Sequence, residues 1–228
     1  MSISAAAQRP NLMVGVPSGY LSPRLPFPPN VEYNVSVGVE VAPGLGISLD
    51  GKTILVGAGG HQGRTDIIGR LKDGTMPQRD TVVLRSGEET TVDGYYGWQD
   101  YKLQGRPDQF TAVGAEPVKG FTVTPTENGF RVENPKSARA WTVENNDAGF
   151  AVRSDFAEGE TFQVSKAGNT TLVDSNLADQ DFTITQQPDG TAVIDGHLRP
   201  EDFTLNPTGK GYDLQGHYDQ QHFQIVFS

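Results

Sequence analysis

Phe182-Thr183-Ile184-Thr185-Gln186-Gln187-Pro188-Asp189-Gly190-Thr191-Ala192-Val193-Ile194-Asp195-Gly196 decides how the rest of the chain is read. It opens on a period-two alternation, Phe182, Ile184, then polar residues, which is the pattern of a half-buried strand. Asp189-Gly190 supplies the positive backbone angles of a tight hairpin turn. Ala192-Val193-Ile194 then returns. The segment reads as a β-hairpin.

The hairpin recurs. Aromatic residues head equivalent segments at Tyr101, Phe121, Trp141, Phe162, Phe182, Phe203 and Phe223, spaced 20 or 21 residues apart. Each begins an aromatic-x-aliphatic triplet, from Tyr101-Lys102-Leu103 to Phe223-Gln224-Ile225. Turn residues follow at the expected offset in Asn128-Gly129, Ala148-Gly149, Gly168-Asn169 and Gly209-Lys210-Gly211. The links between hairpins also repeat. Asp93 to Asp100 matches Asp195 to Asp202, Gln215-Gly216-His217-Tyr218 fits the same frame, and Asp174-Ser175-Asn176-Leu177 fits it more loosely. Tyr96, Leu177, Leu198 and Tyr218 each stand five residues before the next aromatic head, and are expected to tuck under the sheet.

One hairpin cannot bury its own apolar face, so the units must pair side by side or stack. Two-residue turns reverse the chain within one pleat, which favours an antiparallel meander over the alternative, a β-solenoid. The expected fold is all-β: a meander of about seven 20-residue hairpin repeats over 81–228, preceded by a smaller β region with a Gly-rich loop over 31–80. In that region Val31, Tyr33, Val35, Val37, Val39 and Val41 alternate with polar or small residues. Val35 to Val41 reads as a long exposed strand whose edge suits homo-oligomerisation. Residues 1–30 carry six prolines and no acidic residue, and read as a flexible proline-rich arm.

Composition narrows the function classes. The 228 residues are 36% hydrophobic, and Gly 27 with Pro 15 makes 42 of them. No apolar run is long enough for a transmembrane helix, so membrane insertion is not expected. With Cys 0, disulfides, thiolate metal sites and a Cys nucleophile are excluded. The net charge of -10 falls entirely in residues 141–228, which hold 14 acidic and 4 basic side chains. Nucleic acid is therefore not an expected partner, because its affinity comes mainly from Lys and Arg releasing counterions.

Met1-Ser2-Ile3-Ser4-Ala5-Ala6-Ala7 resembles the Ser/Ala-rich, acid-poor leaders of type III secretion substrates, which implies export of a virulence or surface structure protein. The segment has no charged and apolar tandem of a conventional signal peptide. Localisation is left between secretion by such a route and the cytoplasm.

Thr53-Ile54-Leu55-Val56-Gly57-Ala58-Gly59-Gly60-His61-Gln62-Gly63-Arg64 resembles the strand and Gly-x-x-Gly-x-x-Gly loop of atypical short-chain dehydrogenases and NmrA-like NADP-binding proteins. That resemblance implies a pyrophosphate cradle at Gly57, Gly60 and Gly63, with Arg85 against the 2′-phosphate. The following helix would run from Thr65 to Leu71, with Gly69 inside it. The hairpin chemistry of 86–228 leaves no room for the remaining βα units, so a Gly-rich loop between strands is the favoured reading and no cofactor is expected.

Other candidates are few. Tyr95, Tyr96, Trp98 and Tyr101 form the densest aromatic cluster, and Tyr95 and Trp98 are the rings left for a ligand if the other two are core. Acidic links place Asp179, Asp181, Glu201 and Asp202, with Asp155, Glu158, Glu160, Asp174, Asp195 and Asp219, along one edge. Such carboxylates are the ligand type for Ca²⁺, although their spacing matches no calcium motif. His197 and His217 share one repeat slot, and no histidine pair has metal spacing. No nucleophile and base stand out. The chain reads as a non-catalytic binding or structural module, exported or surface-associated, offering a repeated β surface to a protein partner. Its alternatives are NADP binding through Gly57, Gly60 and Gly63, and carbohydrate binding through Tyr95 and Trp98.

Overall fold

A computed structural model describes residues 10–17, 36–51, 53–71, 74–75, 80–106, 108–155 and 161–228. Most of the proline-rich arm, together with Val31, Tyr33, Val35, Glu158 and Glu160, lies outside the described residues. The described chain is strand throughout, apart from turns and short 3-10 helices.

Two antiparallel sheets form, and both close on themselves. The first contains β1 (Leu12–Pro17), β2 (Ser36–Ala42), β3 (Leu45–Ser48) and β4 (Ile54–Ala58). Its strands pair in sequence, and β4 returns to β1 with Gly15 opposite Gly57. The second begins with β5 (Gly63–Leu71), carries the two-residue β6 (Gly74–Thr75), and continues through β7 (Thr81–Ser86) and β8 (Glu89–Gly94). The repeats follow as β9 (Tyr101–Arg106), β10 (Gln109–Gly114), β11 (Phe121–Pro125), β12 (Gly129–Asn134), β13 (Arg139–Asn146), β14 (Gly149–Ser154) and β15 (Thr161–Ala167). They end with β16 (Thr170–Ser175), β17 (Phe182–Gln186), β18 (Ala192–Gly196), β19 (Phe203–Thr208), β20 (Gly211–Gly216) and β21 (His222–Phe227). Every neighbour pair along the array is antiparallel, so the chain is a meander and not a solenoid. Pairing of β21 with β5, Ile225 opposite Ile67, closes the ring.

The alternation seen in the sequence sets the two faces of the large barrel. The aromatic heads point inward and all but the half-buried Trp141 are buried, as are their aliphatic partners Leu103, Val123, Val143, Val164, Ile184, Leu205 and Ile225. Lys102, Glu133, Arg153, Asp174 and Asp195 lie between them on the outer face and are exposed. Apolar inside and polar outside is the reverse of the alternation in a transmembrane barrel. No helix among the described residues is long and apolar enough to cross a membrane.

The small sheet fills the large one. Every residue of β3 and β4 is buried, on both faces. Gly51 abuts the Phe162 ring, Gly44 abuts Ile225 and Tyr212, and the apolar side chains of both sheets merge into one core. A four-stranded ring is too narrow for side chains where strands approach closely. A Cβ on Gly57 would meet the Val14 carbonyl, one on Gly38 the Ile47 carbonyl, and one on Gly46 the Met13 sulfur.

The structure revises four expectations. Leu12–Pro17, within the proline-rich arm, is a strand of the inner sheet. Gly63–Leu71, grouped by sequence with the smaller β region, is a strand of the large barrel, and so the helix over Thr65 to Leu71 that the nucleotide-binding resemblance implies does not form. Val37 to Val41 offers no assembly edge, because β2 is paired on one side with β1 and on the other with β3. Among the described residues, closure of both sheets leaves these strands no open edge for self-association. The fourth revision concerns Tyr96, Leu177, Leu198 and Tyr218, and defines one end of the barrel.

Candidate binding surfaces

The barrel has two unlike rims. One carries the tight hairpin turns. The other carries the links, of which five contain a 3-10 turn, at Gly97–Gln99, Pro117–Lys119, Ala178–Gln180, Arg199–Glu201 and Asp219–Gln221. In three of them the third turn residue clamps the residue before the turn. Gln99 Oε1 accepts from Tyr96 N–H at 2.9 Å, Glu201 Oε2 from Leu198 N–H at 2.9 Å and Gln221 Oε1 from Tyr218 N–H at 2.8 Å. These side chains fold back over Gly94, Gly196 and Gly216, where a Cβ would collide with them. Gln99 and Gln221 are almost wholly buried as a result.

That clamp displaces the apolar residue expected beneath the loop. The amide or carboxylate occupies the space under the link, so the residue before the turn faces solvent. Tyr96, Leu198 and Tyr218 are 42%, 50% and 39% exposed. Leu177, whose N–H donates to Ser175 Oγ at 3.1 Å and not to a clamping side chain, is 44% exposed; Tyr95 at 53% and Val118 at 56% join them on the same rim. In ring order the links run Leu177, Leu198, Tyr218, then the β5–β7 connection, then Tyr95 and Tyr96, then Val118. The exposed apolar side chains thus form an arc along the rim.

The acidic residues of the links are mostly structural acceptors. Asp100 Oδ1 takes the Gly94 N–H at 3.0 Å, Asp181 Oδ1 the Ser175 N–H at 2.7 Å and Asp202 Oδ1 the Gly196 N–H at 3.1 Å. Asp80 does the same for Gly69 at 3.0 Å on the β5–β7 connection, and its burial raises its pKa. Of the calcium candidates, Asp181, Glu201 and Asp202 are therefore engaged by backbone N–H groups, and Asp179 is exposed in its turn. No group of three or more His, Cys, Asp or Glu suited to a metal ion occurs among the described residues.

The aromatic cluster is real but differently presented than Tyr95 with Trp98. Tyr95 meets Tyr96 edge-on at 4.8 Å, while Trp98 is half-buried, stacked on Tyr96 at 5.5 Å with Lys119 Nζ 5.1 Å from its ring. Tyr95 and Tyr96 are the exposed rings. Tyr101 below them is core, and burial together with the Glu116 carboxylate pushes its phenol up to about 12.

At the hairpin rim, a cavity of about 320 Å³ opens between the inner sheet and β7–β12. Leu12, Val14 and Ala58 of the inner sheet face Val83, Leu103, Phe110 and Phe130 of the barrel across it. Gly59, Gly60 and Arg85 stand at its mouth, and Arg85 Nη1 donates to the Gly59 carbonyl at 3.0 Å. The structure therefore joins Gly60 to Arg85, two residues of the Gly-rich resemblance. Gly57 is in the inner sheet and Gly63, with φ +98, begins β5 beside the C-terminal residue. A helix N-terminus, which a pyrophosphate cradle requires, does not follow.

The cavity itself was invisible to sequence reasoning, since it arises from how one sheet sits inside the other. Only the inward parity of Arg85, two residues from Val83, signalled it. No family model matches the chain, and no curated protein or solved structure matches it either.

Proposed function

We propose that the protein is a non-catalytic binding module that presents its 3-10 rim to a protein partner. The observation that carries this reading is the repeated exposure of an apolar side chain just before the 3-10 turn, in Tyr96, Leu198 and Tyr218 where the backbone is clamped and in Leu177 where Ser175 holds it instead. Exposed apolar residues gathered on one rim against a polar background are the kind of feature that marks an interaction surface. A clamped backbone loses little entropy when a partner docks, which favours affinity. The net charge of -10, concentrated in 141–228, suits a partner with apolar anchors in a cationic frame. An exported or surface-associated setting for this module rests only on the Ser/Ala-rich, acid-poor composition of residues 1–7.

The test compares capture from the native source by three forms of the chain. The wild type and an outer-wall variant, Leu84→Ser with Leu172→Ser, should retain the same partner. The rim variant, Tyr96→Ser, Leu177→Ser, Leu198→Ser and Tyr218→Ser together, should lose it while remaining folded. Equal capture by all three forms would refute the reading.

Carbohydrate binding is the second reading, supported by the exposed Tyr95 and Tyr96 rings. Saccharide retention lost in Tyr95→Ala and unaffected in Leu177→Ser would favour it over a protein partner. NADP binding keeps only the proximity of Gly60 and Arg85 in its support.

A further inference from the structure

We infer that the cavity at the hairpin rim is a binding site for a small amphiphile with one anionic head, of the medium-chain carboxylate class. This goes beyond the rim reading and uses the opposite end of the barrel. Its volume of about 320 Å³ falls at the lower end of small-molecule pockets. Such pockets combine apolar walls with a few placed polar groups, and are common in the mouths of β-barrels. Leu12, Val14, Val83, Leu103 and Phe110 supply the walls here.

Arg85 supplies the polar group. Its neighbours along β7, Thr81 and Val83, share its inward parity and are buried, so the guanidinium lies between barrel and inner sheet. Among the described residues it makes one hydrogen bond, from Nη1 to Gly59, and no ion pair. Nε is buried without a partner. A buried donor left unmade is costly. Nη2, neither bonded nor enclosed, can donate to a carboxylate while Nη1 keeps its bond to the Gly59 carbonyl, and a small shift of the guanidinium that opens Nε would add the second, parallel hydrogen bond. The other cation at the mouth, Arg106, is already tied to Asp108 at 3.6 Å and to Gln109 at 3.2 Å. Glu88 and Asp108, both exposed at the mouth, oppose anion entry, and this restricts the head to one that engages Arg85 directly.

The test is calorimetric titration of the full chain with octanoate and, separately, with octanol. Octanoate is expected to bind with one site per chain and octanol at least about tenfold more weakly, as loss of a charge-assisted pair predicts. Arg85→Gln should weaken octanoate by about tenfold or more, whereas Arg106→Gln should change it less than about threefold. Gly60→Trp gives an independent check, because a Cβ there meets nothing within 4 Å and a large side chain would narrow the mouth without disturbing the core. It should also abolish binding, with the thermal transition retained. Equal affinity for octanol, indifference to Arg85→Gln in a folded variant, or absence of octanoate binding to the wild type would each overturn the assignment. Binding that appears only after deletion of residues 1–9 would give the cavity to that segment and overturn it too. The rim variant should bind octanoate normally, so failure of one reading is separable from failure of the other.

Discussion

The two sheets are built from the same antiparallel pairing but solve opposite packing problems. The large barrel has one face in water, so most of its strands alternate and tolerate Thr, Lys, Asp and Gln at outward positions, β14 with its buried Phe150-Ala151-Val152 being an exception. β3 and β4 of the inner sheet have no face in water, so Ile54-Leu55-Val56-Gly57-Ala58 is apolar without alternation. Glycine does the same two things in both. It turns the chain at Gly168 and Gly190 of the array and at Gly44 and Gly51 of the small sheet, all with positive φ. It also admits a neighbouring strand, at Gly38, Gly46 and Gly57 of the inner sheet and at Gly129 and Gly211 of the array, where a Cβ would meet the Val143 and Ile225 carbonyls. An unbroken apolar run such as β4 therefore reports a strand enclosed on both faces, whereas alternation alone does not report the outer wall, since β2 of the inner sheet alternates through Val37, Val39 and Val41.

This contrast can be broken at several points, beginning with the barrel seam. Phe223 is 0% exposed where β21 closes onto β5. Phe223→Ala should cost about 3–5 kcal/mol in chemical denaturation, the range for a buried aromatic truncated in a packed core. The inner sheet should be nearly as intolerant of added volume. Gly57→Ala forces a methyl against the Val14 backbone and should cost about 3 kcal/mol, whereas Gly60→Ala should stay within about 0.5 kcal/mol. Equal effects at the two glycines would mean that the close approach is not what selects Gly57.

Tyr101 sharpens the comparison through pH. Its folded-state pKa of about 12 lies above the ordinary 10.0, so the native state holds the proton where the unfolded chain releases it. The resulting stability is fully present below pH 10 and is lost as pH rises toward 12. Tyr101→Phe should remove that loss, leaving the variant roughly 2 kcal/mol more stable relative to wild type at pH 12 than at pH 8. Parallel pH profiles for the two proteins would contradict burial of the phenol.

The rim should respond least. Asp202→Ala removes the acceptor for the Gly196 N–H and should cost about 1 kcal/mol, with Asp202→Asn recovering most of it. Serine at Tyr96, Leu177, Leu198 or Tyr218 should change stability by less than about 0.5 kcal/mol per site, as expected of residues kept for contact and not for folding. A large loss at any of them would return that side chain to the core.

The repeat was legible because its signals are local: a head residue, two-residue alternation and a turn at fixed spacing. Enclosure was not legible, since no local pattern records that a strand such as Leu12–Pro17 pairs with Ile54–Ala58 forty residues away inside a barrel. The rim was legible in its spacing and wrong in its direction. Tyr96 and Gln99 both lie in the link, and an apolar residue is ordinarily the better candidate for burial. Hydrogen bonding of Gln99 to the Tyr96 backbone reverses that preference. Arg85 and Gly60 were singled out through a nucleotide-binding resemblance, and the structure places them together in a setting of a different kind.

Amide hydrogen exchange, read by mass spectrometry on peptides covering Leu45 to Ala58, tests the enclosure most directly. A sheet buried on both faces inside a closed barrel should exchange only by global unfolding, so these amides should be the slowest in the chain. Exchange of β3 and β4 ahead of the hairpins from β9 to β20 would show that the inner sheet opens independently, and would contradict the account.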